Sequence, residues 1–150
     1  MPDVKLVLSY NKIQVLGFNL NIPNELNIEI NKKELFFFTY NFNTDINLEK
    51  EFFTVNLEII LIYKENQICT LKALYEYHVI GLKEIAKKDG NVIGIPDQIP
   101  VMLISNAIST SRGILFMKTA GTQLENIYLP VVNIDTILNS KIEKSKEEKV

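Results

Sequence analysis

The longest run of strict hydrophobic alternation constrains the fold of this chain more than any other feature. Phe53, Val55, Leu57, Ile59, Leu61 and Tyr63 recur at every second position. After a short polar segment, Lys64-Glu65-Asn66-Gln67, the pattern returns in Cys69, Leu71, Ala73, Tyr75, Tyr77 and Val79. A period of two marks an extended strand with one buried face. Two such strands joined by a few turn-forming residues run antiparallel. The opposite face of the first strand begins polar, at Asn56 and Glu58, and ends apolar, at Ile60 and Ile62; that of the second carries Thr70, Lys72, Glu76 and His78.

Shorter alternating sets precede this hairpin. Val4, Leu6, Leu8 and Tyr10 form one, and Leu16, Phe18, Leu20 and Ile22 form another that stops at Pro23-Asn24. Leu26, Ile28 and Ile30 predict a further strand, as do Phe36, Phe38, Tyr40 and Phe42. The language changes after a loop at Lys87-Lys88-Asp89-Gly90. Ile99, Leu103, Ala107, Ile114 and Phe116-Met117 recur at helical spacings, with Asp97 a candidate N-cap, Pro100 tolerated in the first turn and Gly121 a natural stop. Gly113 marks a place for a kink or an early end. Asn133 is placed to cap a last short helix with Ile134, Ile137, Leu138 and Ile142 on one face. Strands followed by segregated helices predict an α+β domain with helices on one sheet face. Outward apolar residues, Ile60, Ile62 and Leu74, point to a second buried surface, most simply a subunit interface.

Composition excludes several classes. At 150 residues the chain is the size of one domain, read as residues 1–140 with a solvated, mixed-charge tail over 141–150. A net charge of −2 with dispersed basic residues leaves no electrostatic footprint for nucleic acid. One cysteine, Cys69, permits no intramolecular disulfide and no cysteine-based metal cluster. The amino terminus lacks a basic segment followed by a long apolar run, and the apolar stretches read as too short for membrane insertion. A cytoplasmic location is expected.

The candidate chemical groups each have a plainer explanation. His78, the sole histidine, has no nucleophile or orienting acid placed beside it in sequence. Cys69 lies on the better-buried face of its strand, where free cysteine acts as a small core residue. Ser109-Thr110-Ser111-Arg112 falls inside the helix, where hydroxyls line the polar face or bond back to the helix. Gly90-Asn91-Val92-Ile93-Gly94 lacks the Lys-Ser/Thr ending and the strand-to-helix context of a phosphate loop. Asp97 and Asp135 are accounted for by capping. No catalytic residue, metal ligand or cofactor is expected, and the chain reads as a non-enzyme. Leu35 to Phe42 is the most unusual stretch, because Phe37 points away from Phe36 and Phe38. It is either a strand buried on both faces or the wall of an apolar groove that takes extended polypeptide.

Ile104 to Gly121, followed by Leu129-Pro130-Val131-Val132-Asn133-Ile134-Asp135-Thr136-Ile137-Leu138, resembles the SecB family of export chaperones. In that family a long helix ends near a glycine, and a Leu-x-Pro-Val-Asn-Phe-Asp type connector opens a short last helix. The hairpin Phe53 to Ile80 looks like its third and fourth strands, and Phe18 to Asn24 like the end of its first. The resemblance implies a four-stranded antiparallel sheet followed by a long helix and a short C-terminal helix. It also implies a homotetramer, built as a dimer of dimers, and grooves that hold unfolded or precursor polypeptides without ATP. By position, Phe36, Phe38, Tyr40, Ile134, Ile137 and Leu138 would line the client groove. Export members are strongly acidic and present carboxylates to the motor ATPase SecA. The matching positions here, Gly17, Asn21 and Lys72-Ala73, carry none, so weak or absent SecA binding is expected and a specialised member, such as a chaperone accompanying a toxin–antitoxin pair, fits the pattern. Two other functions stay open: a dedicated module with one cognate partner, and a small-molecule-binding α+β domain.

Overall fold

The structure is a computed structural model that describes residues 4–139. Ile142 and the charged segment 141–150 lie outside the described residues. Four strands form one antiparallel sheet: β1 (Val7–Leu20), β2 (Phe36–Asn47), β3 (Phe52–Tyr63) and β4 (Asn66–Ile80), in the order β1-β4-β3-β2. A one-turn helix α1 (Leu82–Ile85) and a small hairpin, β5 (Lys87–Asp89) with β6 (Val92–Gly94), lead to the long helix α2 (Gln98–Thr119). A connector then reaches a short helix α3 over residues 134–139.

The alternation in β3 and β4 is the core. Phe53, Val55, Leu57, Ile59, Leu61 and Tyr63 are all buried, as are Cys69, Leu71, Ala73, Tyr75, Tyr77 and Val79. The turn between these strands is only Lys64-Glu65, both at positive φ (44° and 67°). Two residues at positive φ give a turn whose twist matches that of the flanking strands. Ile68 sits at an irregularity in the β3–β4 ladder and is fully buried, an extra core residue that simple alternation leaves out.

β1 is a single 14-residue strand with two bulges, between Tyr10 and Lys12 and between Val15 and Gly17. Each bulge adds a residue and switches which side chains face inward. The inward set opposite β4 is therefore Leu8, Tyr10, Ile13, Val15, Phe18 and Leu20. Leu16, expected to share a face with Phe18 and Leu20, lies at a bulge and is 53% exposed. The strand expected at Leu26–Ile30 is absent; residues 21–32 form a loop instead. That loop is held by Tyr63, whose hydroxyl donates to the Asn27 carbonyl (3.3 Å) and accepts from the Glu29 N–H (3.0 Å). Leu26 and Ile28 still pack on the core, so their alternation reflects burial without ladder pairing.

α2 runs unbroken through Gly113, which is exposed with open space beside it, and stops before Gly121 at φ +75°. Its inward face is Ile99, Leu103, Ile104, Ala107, Ile108, Ser111, Leu115 and Thr119. Each large apolar side chain in that set contributes about 1.5–3 kcal/mol by leaving water. Phe116 and Met117, expected on that face, are 53% and 72% exposed. Asp97 precedes the helix in helical geometry and makes no side-chain cap. Asn133 does cap α3, its Oδ1 accepting from the Asp135 N–H at 3.0 Å, so Asp135 is the capped residue. At 22 residues α2 is also long and apolar enough to cross a bilayer, contrary to the reading of short apolar runs. Helix formation joins segments that Asn106 and Arg112 interrupt in sequence, and the apolar face of this helix lies on the sheet.

Candidate functional site

β2 is a sheet edge. It pairs with β3 without a break from Phe36–Tyr63 to Asn47–Phe52, and among the described residues no strand pairs with its other side. Its register puts Phe36, Phe38, Tyr40 and Phe42 opposite the buried residues Tyr63, Leu61, Ile59 and Leu57, so these four face inward. α2 lies over the central strands. The inward side of β2 is instead met by the connector that follows α2, and a cavity of about 310 Å³ opens between them. Phe36 and Phe38 form its strand wall, Ile127, Tyr128 and Pro130 its connector wall, with Asn126 and Lys33 at its margin. The Phe36 ring packs on Tyr63, centroids 4.7 Å apart and tilted by 43°.

The connector stays in place through a polar strap. Arg112, half-buried on α2, donates from Nε to the Leu129 carbonyl (2.8 Å) and from Nη2 to the Pro130 carbonyl (2.9 Å). Leu124, Leu129 and Ile134 are buried and pin the segment to the core. Tyr40 sits deeper along β2, its hydroxyl buried without a hydrogen-bond partner among the described residues. Burial pushes its pKa up to about 12, against the opposing pull of the Arg112 charge.

Of the six side chains expected in a client groove, the fold therefore brings Phe36 and Phe38 to one open cavity. Tyr40, Ile137 and Leu138 are half-buried against the core and Ile134 is buried, all outside the lining of that cavity. The connector wall, Ile127 and Tyr128, went unread in the sequence. The signal for it was weak: two apolar residues before Leu129-Pro130, with no periodicity.

The remaining candidates resolve simply. Cys69 is buried, and burial alone pushes its thiol up to about 11, so it holds little thiolate at neutral pH. His78 faces outward, edge-on to Phe52 at 5.4 Å. Ser111 is not on the polar face of its helix: it is fully buried and hydrogen-bonded to the Tyr75 hydroxyl. Beside it, the Tyr10 hydroxyl donates to Asn106 Oδ1 and lies 2.6 Å from Thr110 Oγ1, while the Tyr77 hydroxyl donates to the Leu103 carbonyl at 3.1 Å. Burial, the largest cause, raises the pKa of both Tyr75 and Tyr77. Among the described residues no helix packs on the outer sheet face. It is polar along its middle, with Asn41, Asn43 and Asn56 around a Glu58–Lys72 ion pair (3.4 Å), and apolar at one end, where Phe37 is 63% exposed beside Ile62.

No protein-family model matches this chain, and no curated protein matches it in sequence. A solved structure does match: Rv1957, a SecB-like chaperone of Mycobacterium tuberculosis, in complex with a ChAD peptide from the HigA1 antitoxin. The two share 10% identity at a TM-score of 0.52, over 84% of this chain and 88% of that one. The fold is SecB-like. At that identity the likeness concerns architecture: the four-stranded antiparallel sheet, the long helix and the short last helix, in the same arrangement.

Proposed function

We propose that this SecB-like chain is an ATP-independent chaperone that holds non-native polypeptide in the groove between β2 and the connector. One observation carries the reading: an open apolar cavity walled by Phe36, Phe38, Ile127 and Tyr128 lies beside a strand edge to which no strand among the described residues is paired. An extended client can pair its backbone along such an edge while alternate side chains enter the pocket. The SecB-like neighbour was solved with a peptide from an antitoxin, which supports a polypeptide ligand for this architecture. In this reading the protein works in the cytoplasm without a cofactor.

The outer face favours a specialised role over coupling to export. Gly17 and Lys72, which the resemblance matches to carboxylate positions of export members, are register partners on β1 and β4, and Lys72 is paired with Glu58. Exposed ion pairs contribute only about 0–1 kcal/mol each, so an effective basic-partner site needs several free carboxylates. A second reading, a module dedicated to one partner, is favoured by the single antitoxin peptide of the neighbour's complex.

The test is suppression of aggregation of a slowly refolding protein without nucleotide. Phe38→Asp and Tyr128→Asp, both on the walls of the cavity and each first shown by circular dichroism to stay folded, should weaken suppression. Unchanged activity in folded variants rejects the groove. A panel of unrelated unfolded proteins separates a general holdase from a one-partner module, and tight, salt-sensitive binding of SecA in a parallel titration would contradict the specialised role.

A further inference from the structure

Lys33 is the one charged side chain among the described residues that line the β2 groove. Lys33, at the end of the groove where β2 begins, is exposed, and its ammonium group is in no ion pair among the described residues. Its neighbours differ: Lys32 and Lys64 both pair with Glu29, at 3.3 and 3.6 Å. Arg112 stands behind Pro130, and among the described residues its hydrogen bonds reach the neutral carbonyls of Leu129 and Pro130. Among the described residues no carboxylate lines the cavity, and the Glu125 carboxylate, next to the lining residue Asn126, is turned to the Gly121 N–H at 3.1 Å. The apolar wall therefore meets one cation, Lys33, which is free of an ion pair among the described residues although the exposed Glu34 follows it in the chain.

We infer that the groove selects extended apolar segments carrying an aspartate or glutamate next to their aliphatic or aromatic anchors, with Lys33 as the residue that reads the acidic side chain. The inference rests on the client-holding reading of the same groove and adds its charge preference. A basic side chain at that place would meet the like charge of Lys33. Charge complementarity at a groove margin sets partner choice and encounter rate more than total affinity.

Fluorescence anisotropy with labelled peptides that share one apolar core and differ only in an acidic, neutral or basic flank tests this. The acidic peptide should bind about two- to fivefold tighter than the neutral one, the range of an exposed ion pair. The basic peptide should bind weakest, and the differences should shrink at high salt. Lys33→Gln should erase most of the preference and Lys33→Glu should reverse it; Lys33 is exposed, so both variants keep the fold. Equal binding of the three peptides, lost on Phe38→Asp, would overturn the charge preference and leave the groove standing. A preference unmoved by both Lys33 variants would overturn the role of Lys33. Failure of all peptides to bind would overturn the groove and this inference together.

Discussion

Tyr75 and Ser111 are both fully buried, and their hydroxyls meet between β4 and α2. A buried hydroxyl left without a partner costs about 1–3 kcal/mol, whereas removing both partners costs far less. Tyr75→Phe and Ser111→Ala should therefore each destabilise the fold, Tyr75→Phe by about 1–2 kcal/mol. The double variant should lose clearly less than the sum, as urea unfolding would show. Strict additivity would mean that the contact contributes nothing of its own. Ser111 is also where reading by composition failed. Ser109, Thr110 and Ser111 are chemically near-equivalent in the sequence, and only the helix phase decides that Ser111 points into the sheet while Ser109 meets solvent. The same phase turns Phe116 and Met117 outward.

At the scale of elements, the β3–β4 hairpin was legible because both strands obey a strict period of two and the sheet buries the corresponding face completely. Its turn carries an avoidable strain: Lys64 and Glu65 occupy positive φ, a region that asparagine and glycine adopt at less cost. Lys64→Asn with Glu65→Gly should stabilise the domain by about 0.5–1 kcal/mol, seen as a higher urea midpoint. An unchanged or lower midpoint would show that those side chains supply compensating contacts. β1 was only half legible, since two bulges shift the inward set from Leu8 and Tyr10 to Ile13 and Val15 and back to Phe18 and Leu20. Gly17 stands beside the second bulge, and a glycine inside a strand pattern is a bulge signal, whereas the first bulge has no such mark. The loop over residues 21–32 imitates a strand because Leu26 and Ile28 are pulled inward, although Tyr63 supplies the hydrogen bonds that a ladder would otherwise make. The groove was legible on its strand wall and not on its connector wall. Phe36 and Phe38 stand out by alternation, whereas Ile127 and Tyr128 reach the same cavity through the Arg112 strap, a contact between residues 17 and 18 positions apart.

For the whole molecule, the uneven cover of the sheet matters most. Leu8, Tyr10, Ile13 and Val15 sit opposite completely or nearly completely buried residues of β4, yet are themselves 37–46% exposed, and Met102 on α2 adds to the same side. We propose that a second copy of the chain covers this strip, with a tetramer as the full assembly. Val15→Asp, on the exposed edge strand, should leave the circular dichroism spectrum intact and reduce the mass seen by light scattering. A wild-type monomer at micromolar concentration contradicts the assembly. Client holding, the central claim, places the ligand on one particular side of this molecule. Hydrogen exchange of the protein with and without a permanently unfolded client tests that placement most directly. The account predicts added protection along Phe36–Phe42 of β2 and residues 126–130 of the connector, reduced in Phe38→Asp. Protection confined to the outer face around Asn41, Asn56 and Lys72, or none at saturating client, would contradict it.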